Sequence, residues 1–374
     1  MIPTEAFSRL LQTRIRQDVQ SMHAYAVQDA SGLLKLDAME NPYRLPAELQ
    51  HALGERLGAV ELNRYPGARI GDLHAALANH AHLPEGFDLM IGNGSDELIA
   101  LLALACDVPG ASILAPLPGF VMYRMSAELQ GLSFHGVPLT ADFELDEAAM
   151  LAAIAAHKPS IVYIAYPNNP TANLWDDATI EKIVEAQGQQ GGLVVLDEAY
   201  QPFSSRSYIG RITRHRHVLL MRTLSKFGLA GVRIGYMIGP AALVAEIDKV
   251  RPPYNISSLN CECALFALEH AQVFEQQAAD LREQRGVLLQ ALRKMPDIKV
   301  WNSDANMILI RVADAAATFE GMKARGVLIK NVSKMHPLLN NCLRLTVGTA
   351  EQNAQMLAAL EASLSEPIPI PSPS

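Results

Sequence analysis

The chain has 374 residues, 49% of them hydrophobic, a formal net charge of −8 and four cysteines. That is apolar material for a large core or for two domains, and the negative balance argues against nucleic acid or any other extended anionic polymer as a partner. Cys106, Cys261, Cys263 and Cys342 have neither zinc-site nor disulfide-framework spacing, which points to reduced thiols in a cytosolic, cytoplasmic protein without a metal, and no apolar run is long enough to span a membrane.

Residues 1–40, beginning "MIPTEAFSRLLQTRIRQDVQ", lack the apolar core of a signal peptide and read as an amphipathic N-terminal arm. From residue 41 to 255 helical and strand patterns alternate. "IGDLHAALANHAHL" has apolar positions at helical spacing, and "GSDELIALLALACD" predicts a helix with Ser95 as N-cap and acids in its first turn. Short, continuously apolar runs follow at "ASILAPL", "PSIVYIAY", "GGLVVLDEAY" and "HVLLMRTLS", with the helical pattern "DDATIEKIVEAQGQQ" between two of them. Such runs are strands buried on both faces, so the fold class is α/β, a doubly wound domain with a mainly parallel sheet flanked by helices. After Arg251-Pro252-Pro253 a helix-rich stretch leads to the shorter strand patterns "ANMILIRV", "GVLIK" and "CLRLTV", a smaller α+β C-terminal domain over 256–374. Its end, 365–374, alternates proline and reads as an extended tail.

Ligands of open parallel sheets bind beyond the carboxyl ends of the strands. The polar residues that follow the apolar runs are therefore the candidates: Asn168, Asn169 and Thr171 after "SIVYIAY"; Asp197 to Tyr200 after "GLVVL"; Arg222, Thr223, Ser225, Lys226 and then Arg233 after "HVLLM". "IGNG" precedes the helix at Ser95, a turn suited to an anion at a helix N-terminus. Taken singly, each has a plainer reading. "VVLDEAY" is equally a strand ending in acids or a metal carboxylate, although no G-x-x-x-x-G-K-[ST] accompanies it; "NNPT" and "GNG" are ordinary turns. Together they place a lysine, a carboxylate, an amide, a phenol and an arginine at successive strand ends.

In that order "NNPTAN", "LDEAY" and "RTLSKFGLAGVRIGY" resemble the fold-type I pyridoxal phosphate aminotransferases, and the likeness runs over nearly the whole chain. "KLDAMENPY", "NRYPGA", "PGFVMY" and "CLRLTVGT" narrow it to the histidinol-phosphate aminotransferase family. The resemblance implies that Lys226 bonds to the aldehyde of pyridoxal 5'-phosphate and moves the substrate proton. It implies that Asp197 lies against the pyridine nitrogen, that Asn169 and Tyr200 bond the phenolic oxygen, and that Phe120 stacks on the ring. Gly94, Ser95, Asp96, Thr223, Ser225 and Arg233 match the phosphate cradle, and Tyr65 would reach it from a second subunit of a homodimer with shared active sites. Arg344, with Tyr25, Asn41 and Lys330, matches the substrate-binding positions.

The implied reaction is reversible amino transfer between L-glutamate and imidazole-acetol phosphate, giving 2-oxoglutarate and L-histidinol phosphate. An aromatic or broad-range aminotransferase and a threonine-phosphate decarboxylase share the same pattern. A regulator built on such a domain would need a DNA-binding domain that a 40-residue arm cannot hold. Three positions depart from the family: Ala172 stands where glycine is usual, Lys226 and Arg233 are seven residues apart where many relatives have eight, and Lys330 replaces a common arginine.

Overall fold

The computed structural model describes residues 4–22 and 28–365. The chain divides into two units, Met1–Gly32 and Leu33–Ser374. The first carries α1 (Thr4–Arg14) and α2 (Gln17–Ser21), with Phe7, Leu10 and Leu11 of α1 exposed at helical spacing. Tyr25 lies outside the described residues, as does the tail from residue 366 onward.

The second unit opens with β1 (Leu34–Lys35), α3 (Ala47–Gly58) and α4 (Arg69–His80). A seven-stranded sheet follows: β2 (Phe87–Gly92), β3 (Ser112–Leu117), β4 (Ser133–Pro138), β5 (Ile161–Ala165), β6 (Leu193–Asp197), β7 (Val218–Thr223) and β8 (Gly235–Pro240), in the order β2-β8-β7-β6-β5-β3-β4. Every pairing is parallel except those of β8, which runs against both β2 and β7. The intervening helices are α5 (Ser95–Ala105), α6 (Val121–Gln130), α7 (Glu147–His157), α8 (Asp177–Gln189) and α9 (Ala241–Asp248).

Alternation along the strands explains why the predicted runs are apolar throughout. Tyr163, Val195, Leu219 and Met221 pack under Leu98 and Leu102 of α5 and Ala127 of α6. Their neighbours Val162, Leu196 and Leu220 pack on the opposite face, against Leu73 of α4, Met150 of α7 and Ile183 of α8. Both faces are covered, so neither can carry polar alternation.

Beyond the sheet come α10 (Ser258–Glu269) and the long α11 (Ala271–Leu292). An antiparallel sheet in the order β12-β13-β10-β9 joins β9 (Lys299–Val300), β10 (Met307–Arg311), β12 (Lys330–Asn331) and β13 (Cys342–Thr346). The helices α12 (Ala315–Ala324) and α13 (Ala350–Ser365) pack on one another. "GVLIK", predicted as one strand, divides at Ile329: β11 (Val327–Leu328) pairs with β1 in parallel, and Lys330 and Asn331 turn to pair with β13. No helix among the described residues is long and apolar enough to cross a membrane.

Candidate active site

Because β2, β3, β5, β6 and β7 run the same way, their carboxyl ends share one edge of the sheet, and the reversed β8 begins there. That edge forms a cavity lined by Ser95, Asp96, Phe120, Tyr123, Asn169, Asp197, Tyr200, Thr223, Ser225, Lys226 and Arg233. Ten of these eleven were predicted from the sequence and Tyr123 was not; Met39, Ala165, Pro167 and Ala199 complete the lining.

Lys226 follows β7 on a single π-helical turn, Ser225–Leu229. Gly228 makes the turn possible: its φ is 143°, and a Cβ there would lie 2.6 Å from Phe274. The Lys226 ammonium donates to the Ala38 carbonyl at 2.8 Å and stands 5.9 Å from the centre of the Tyr200 ring. Burial, reinforced by the nearby Arg344 and opposed by Glu40, lowers its pKa to about 8. A useful fraction of the amine is therefore neutral, and nucleophilic, near physiological pH.

Asp197 is buried at the end of β6. Its Oδ2 accepts from the Tyr123 hydroxyl at 2.6 Å and its Oδ1 from the Ala199 amide at 3.0 Å. Burial raises its pKa to about 6, against the pull of the Tyr123 bond. Tyr123 is itself fixed, stacked on Tyr163 at 4.3 Å and edge-on to Phe120 at 5.6 Å. Asn169 donates to the Tyr200 hydroxyl at 3.1 Å and accepts from Arg344 at 2.7 Å. The other arm of Arg344 donates to the Asp37 carbonyl at 2.8 Å. Burial pushes the Tyr200 phenol well above its ordinary value.

A cluster suited to an anion occupies the far end of the cavity. Arg233 donates to Ser225 Oγ at 3.3 Å and to Asp96 Oδ2 at 3.2 Å, and the Ser225 amide bonds Thr223 Oγ1 at 3.1 Å. The π turn and one 3-10 turn (Ala230–Val232) span the seven-residue interval from Lys226, so the short spacing still brings Arg233 to the site. Ser95 is the first residue of α5 and not its cap; that place belongs to Gly94, at φ 80°. That φ is one that L side chains rarely adopt, and the backbones are close as well: a Cβ on Gly235 would lie 2.7 Å from the Gly94 carbonyl carbon. Bare backbone here leaves the unpaired amides of the first turn of α5 beside a guanidinium.

These groups fit pyridoxal phosphate. The cradle offers amides, hydroxyls and an arginine to a dianion, and Asp197 offers an uncompensated carboxylate to a protonated ring nitrogen. Asn169 and Tyr200 offer polar hydrogens to a phenolic oxygen.

Other predicted residues stand elsewhere. Tyr65 is 75% exposed and stacks on Tyr254 at 4.4 Å; it does not line this cavity in its own chain. The Asn41 amide donates to Gln277 at 2.9 Å and to the Phe227 carbonyl at 3.4 Å, fastening the lysine segment from below. Lys330 is the register partner of Arg344. Ala172 is buried at φ 64°, a left-handed conformation that accounts for the family's preference for glycine there. Tyr123 was the legible omission, since it stands three residues after Phe120 in "PGFVMY", in the first turn of the helix that Phe120 precedes.

Comparison with known proteins bears on the fold and the family. The family model for aminotransferases of class I and II matches residues 31–360. The chain is 74% identical to a histidinol-phosphate aminotransferase of Polaromonas naphthalenivorans over 97% of its own length and 99% of that protein's. It is 68% identical to one of Paracidovorax citrulli over 94% and 97% of the respective lengths. Among solved structures, the histidinol-phosphate aminotransferase of Sinorhizobium meliloti in complex with pyridoxal-5'-phosphate superposes with a TM-score of 0.81 at 22% identity, covering 94% of this chain and 98% of that one. That of Clostridium acetobutylicum gives the same score and identity over 89% and 99%. The fold is thus that of the fold-type I pyridoxal phosphate enzymes, and the chain belongs to the class I and II aminotransferases and, within them, to the histidinol-phosphate aminotransferase family.

Proposed function

We propose that the chain exchanges an amino group between L-glutamate and imidazole-acetol phosphate, forming 2-oxoglutarate and L-histidinol phosphate in histidine biosynthesis. The observation that carries the reading is a lysine with a lowered pKa in one cavity with an uncompensated carboxylate and an arginine-lined anion cradle. The identity to relatives named for this activity supports the choice of substrate.

Bound pyridoxal phosphate supplies an electron-withdrawing ring that takes up the electron pair left when the substrate Cα loses its proton. The chain's own residues do the rest. Asp197 holds a proton on the ring nitrogen, while Asn169 and Tyr200 hold the phenolic oxygen. Phe120 covers one face of the ring and excludes water. Thr223, Ser225, Arg233 and the α5 amides hold the phosphate. Lys226 Nζ, in the neutral fraction that its lowered pKa provides, accepts the Cα proton and returns it on the other side of the exchange. Arg344, already oriented by Asn169 and Asp37, binds the carboxylate of glutamate, with Lys330 beside it as a point charge.

Two further readings belong to this function. Exposed Tyr65 serves the phosphate of a second copy in a cytoplasmic homodimer. Residues 41–255 and 256–374 act as larger and smaller domains, a division supported by their separate sheets.

The test offers purified protein, loaded with pyridoxal phosphate, four donors: glutamate, histidinol phosphate, phenylalanine and phosphothreonine. Turnover of the first two at low concentration is the expected result. Preference for phenylalanine, or release of carbon dioxide from phosphothreonine, would overturn the substrate. Lys226→Ala should lower the rate by about 10²–10⁴-fold or more; a variant that kept its activity would overturn the mechanism.

A further inference from the structure

Side chains alternate along β6 and β7, and Asp197 stands opposite Met221 in register. Asp197 and Thr223 therefore face α5, α6 and the cavity, whereas Glu198 and Arg222 face the other side of the sheet. There they form an ion pair, 1% and 7% exposed, with Arg222 Nε donating to Glu198 Oε2 at 3.0 Å and Nη2 standing 2.9 Å from the same oxygen. Ser207 Oγ closes a triangle, donating to Glu198 at 2.9 Å and accepting from Arg222 at 3.1 Å. The Tyr208 amide donates to the same carboxylate, and Tyr236 of β8 lines the same cavity as Arg222. One knot thus joins β6, β7 and the loop through Ser207, one residue away from the groups that face the active-site cavity.

Neither Glu198 nor Arg222 lines the active-site cavity. Burying two charges this deeply is poorly explained by stability, because neutral side chains of similar volume commonly serve as well. What apolar replacements cannot supply is a fixed direction. The ligand of the neighbouring face has its ring nitrogen and phosphate at a set separation, so its two grips must keep theirs.

We propose that Glu198 and Arg222 are positioning residues whose ion pair holds the β6 and β7 ends beyond their last backbone bond, from the Glu198 amide to the Met221 carbonyl at 2.8 Å, and so sets Asp197 relative to Thr223 and Ser225. The proposal rests on the function given above.

Glu198→Gln alone would strand a buried guanidinium and reduce folding, so the informative protein is the double variant Glu198→Gln/Arg222→Met, which removes both charges. Two ligands are titrated calorimetrically into protein free of cofactor. Pyridoxamine phosphate, which cannot bond to Lys226, needs both grips; inorganic phosphate needs one. The double variant should melt close to wild type, bind pyridoxamine phosphate about tenfold more weakly or worse, and bind inorganic phosphate within about twofold of wild type. Unchanged pyridoxamine phosphate binding would overturn the proposal, as would a parallel loss of both ligands, which marks general loosening. A wild-type protein that ignored pyridoxamine phosphate would overturn the function reading itself, a result distinct from either.

Discussion

Glu262 of α10 and Asp197 of β6 are both buried carboxylates, and their surroundings drive them in opposite directions. Glu262 accepts from Arg56 at 2.8 Å and from Arg69 at 2.9 Å, joining α10 to α3 and α4, and these hydrogen bonds lower its pKa to about 2. Asp197 has a phenol and an amide instead, and burial raises its pKa to about 6. The contrast separates two uses of one functional group. Where a carboxylate only ties helices together, cations within the chain match its charge. Where it must receive a cation from outside, it is left unmatched, and folding bears the cost.

The two therefore contribute to stability with opposite pH dependence. The contribution of Glu262 is present above the ordinary carboxylate range and is lost as pH falls towards about 2. The contribution of Asp197 is full below its ordinary value and is lost as pH rises through about 6, where the buried acid ionises.

The sharpest way to break the contrast is Asp197→Asn. Amino transfer should fall by about 10²–10³-fold while the melting temperature holds or rises, since an uncompensated charge has gone. Retained turnover with a lowered melting temperature would reverse the assignment. Glu262→Gln should do the opposite, costing about 1 kcal/mol in urea unfolding at neutral pH, because Arg56 and Arg69 lose their shared anion and keep only Glu269 and Asp72. That cost should shrink as the pH approaches about 2; a cost independent of pH would mean that packing holds these helices. Tyr123→Phe sharpens the comparison by removing the one strong donor to Asp197, a charged hydrogen bond worth about 1.5 kcal/mol. Turnover should drop about tenfold on the acid side of neutrality and converge with wild type at higher pH, as Asp197 titrates later; a parallel profile would dismiss the tuning. The smallest effect is expected at Ala172→Gly. Relief of the left-handed conformation, offset by a more flexible unfolded chain, should stabilise by about 0.5 kcal/mol in the same urea assay.

The site was legible in the sequence to the extent that its residues stand at the ends of buried strands. Lys226, Asp197, Asn169 and Arg233 each follow an apolar run or precede one, and the strand-end rule found them before any resemblance was invoked. Groups that act through the backbone left no such trace. The carbonyls of Asp37 and Ala38, which hold Arg344 and Lys226, belong to residues whose side chains say nothing of the role. Arg222 reads only as one of several polar residues after "HVLLM", because its partner is fixed by inter-strand register and not by spacing along the chain. The same limit governed "GVLIK": five apolar-rich residues predict one strand, and nothing local signals that two sheets divide it. Local chemistry predicts Ser95 as the helix cap, and the place falls to Gly94, where the backbone turns through φ 80°.

The reversal of β8 makes heritable units of residues that might otherwise vary apart. Thr223 and Gly235 face one another across the β7–β8 pairing, so the chain leaves the sheet and rejoins it at one rung of the ladder. Everything between them, lysine and arginine included, is a closed excursion whose ends cannot drift. A one-residue slip of the pairing is the change it does not survive, since every side chain on β8 would then turn to the wrong face.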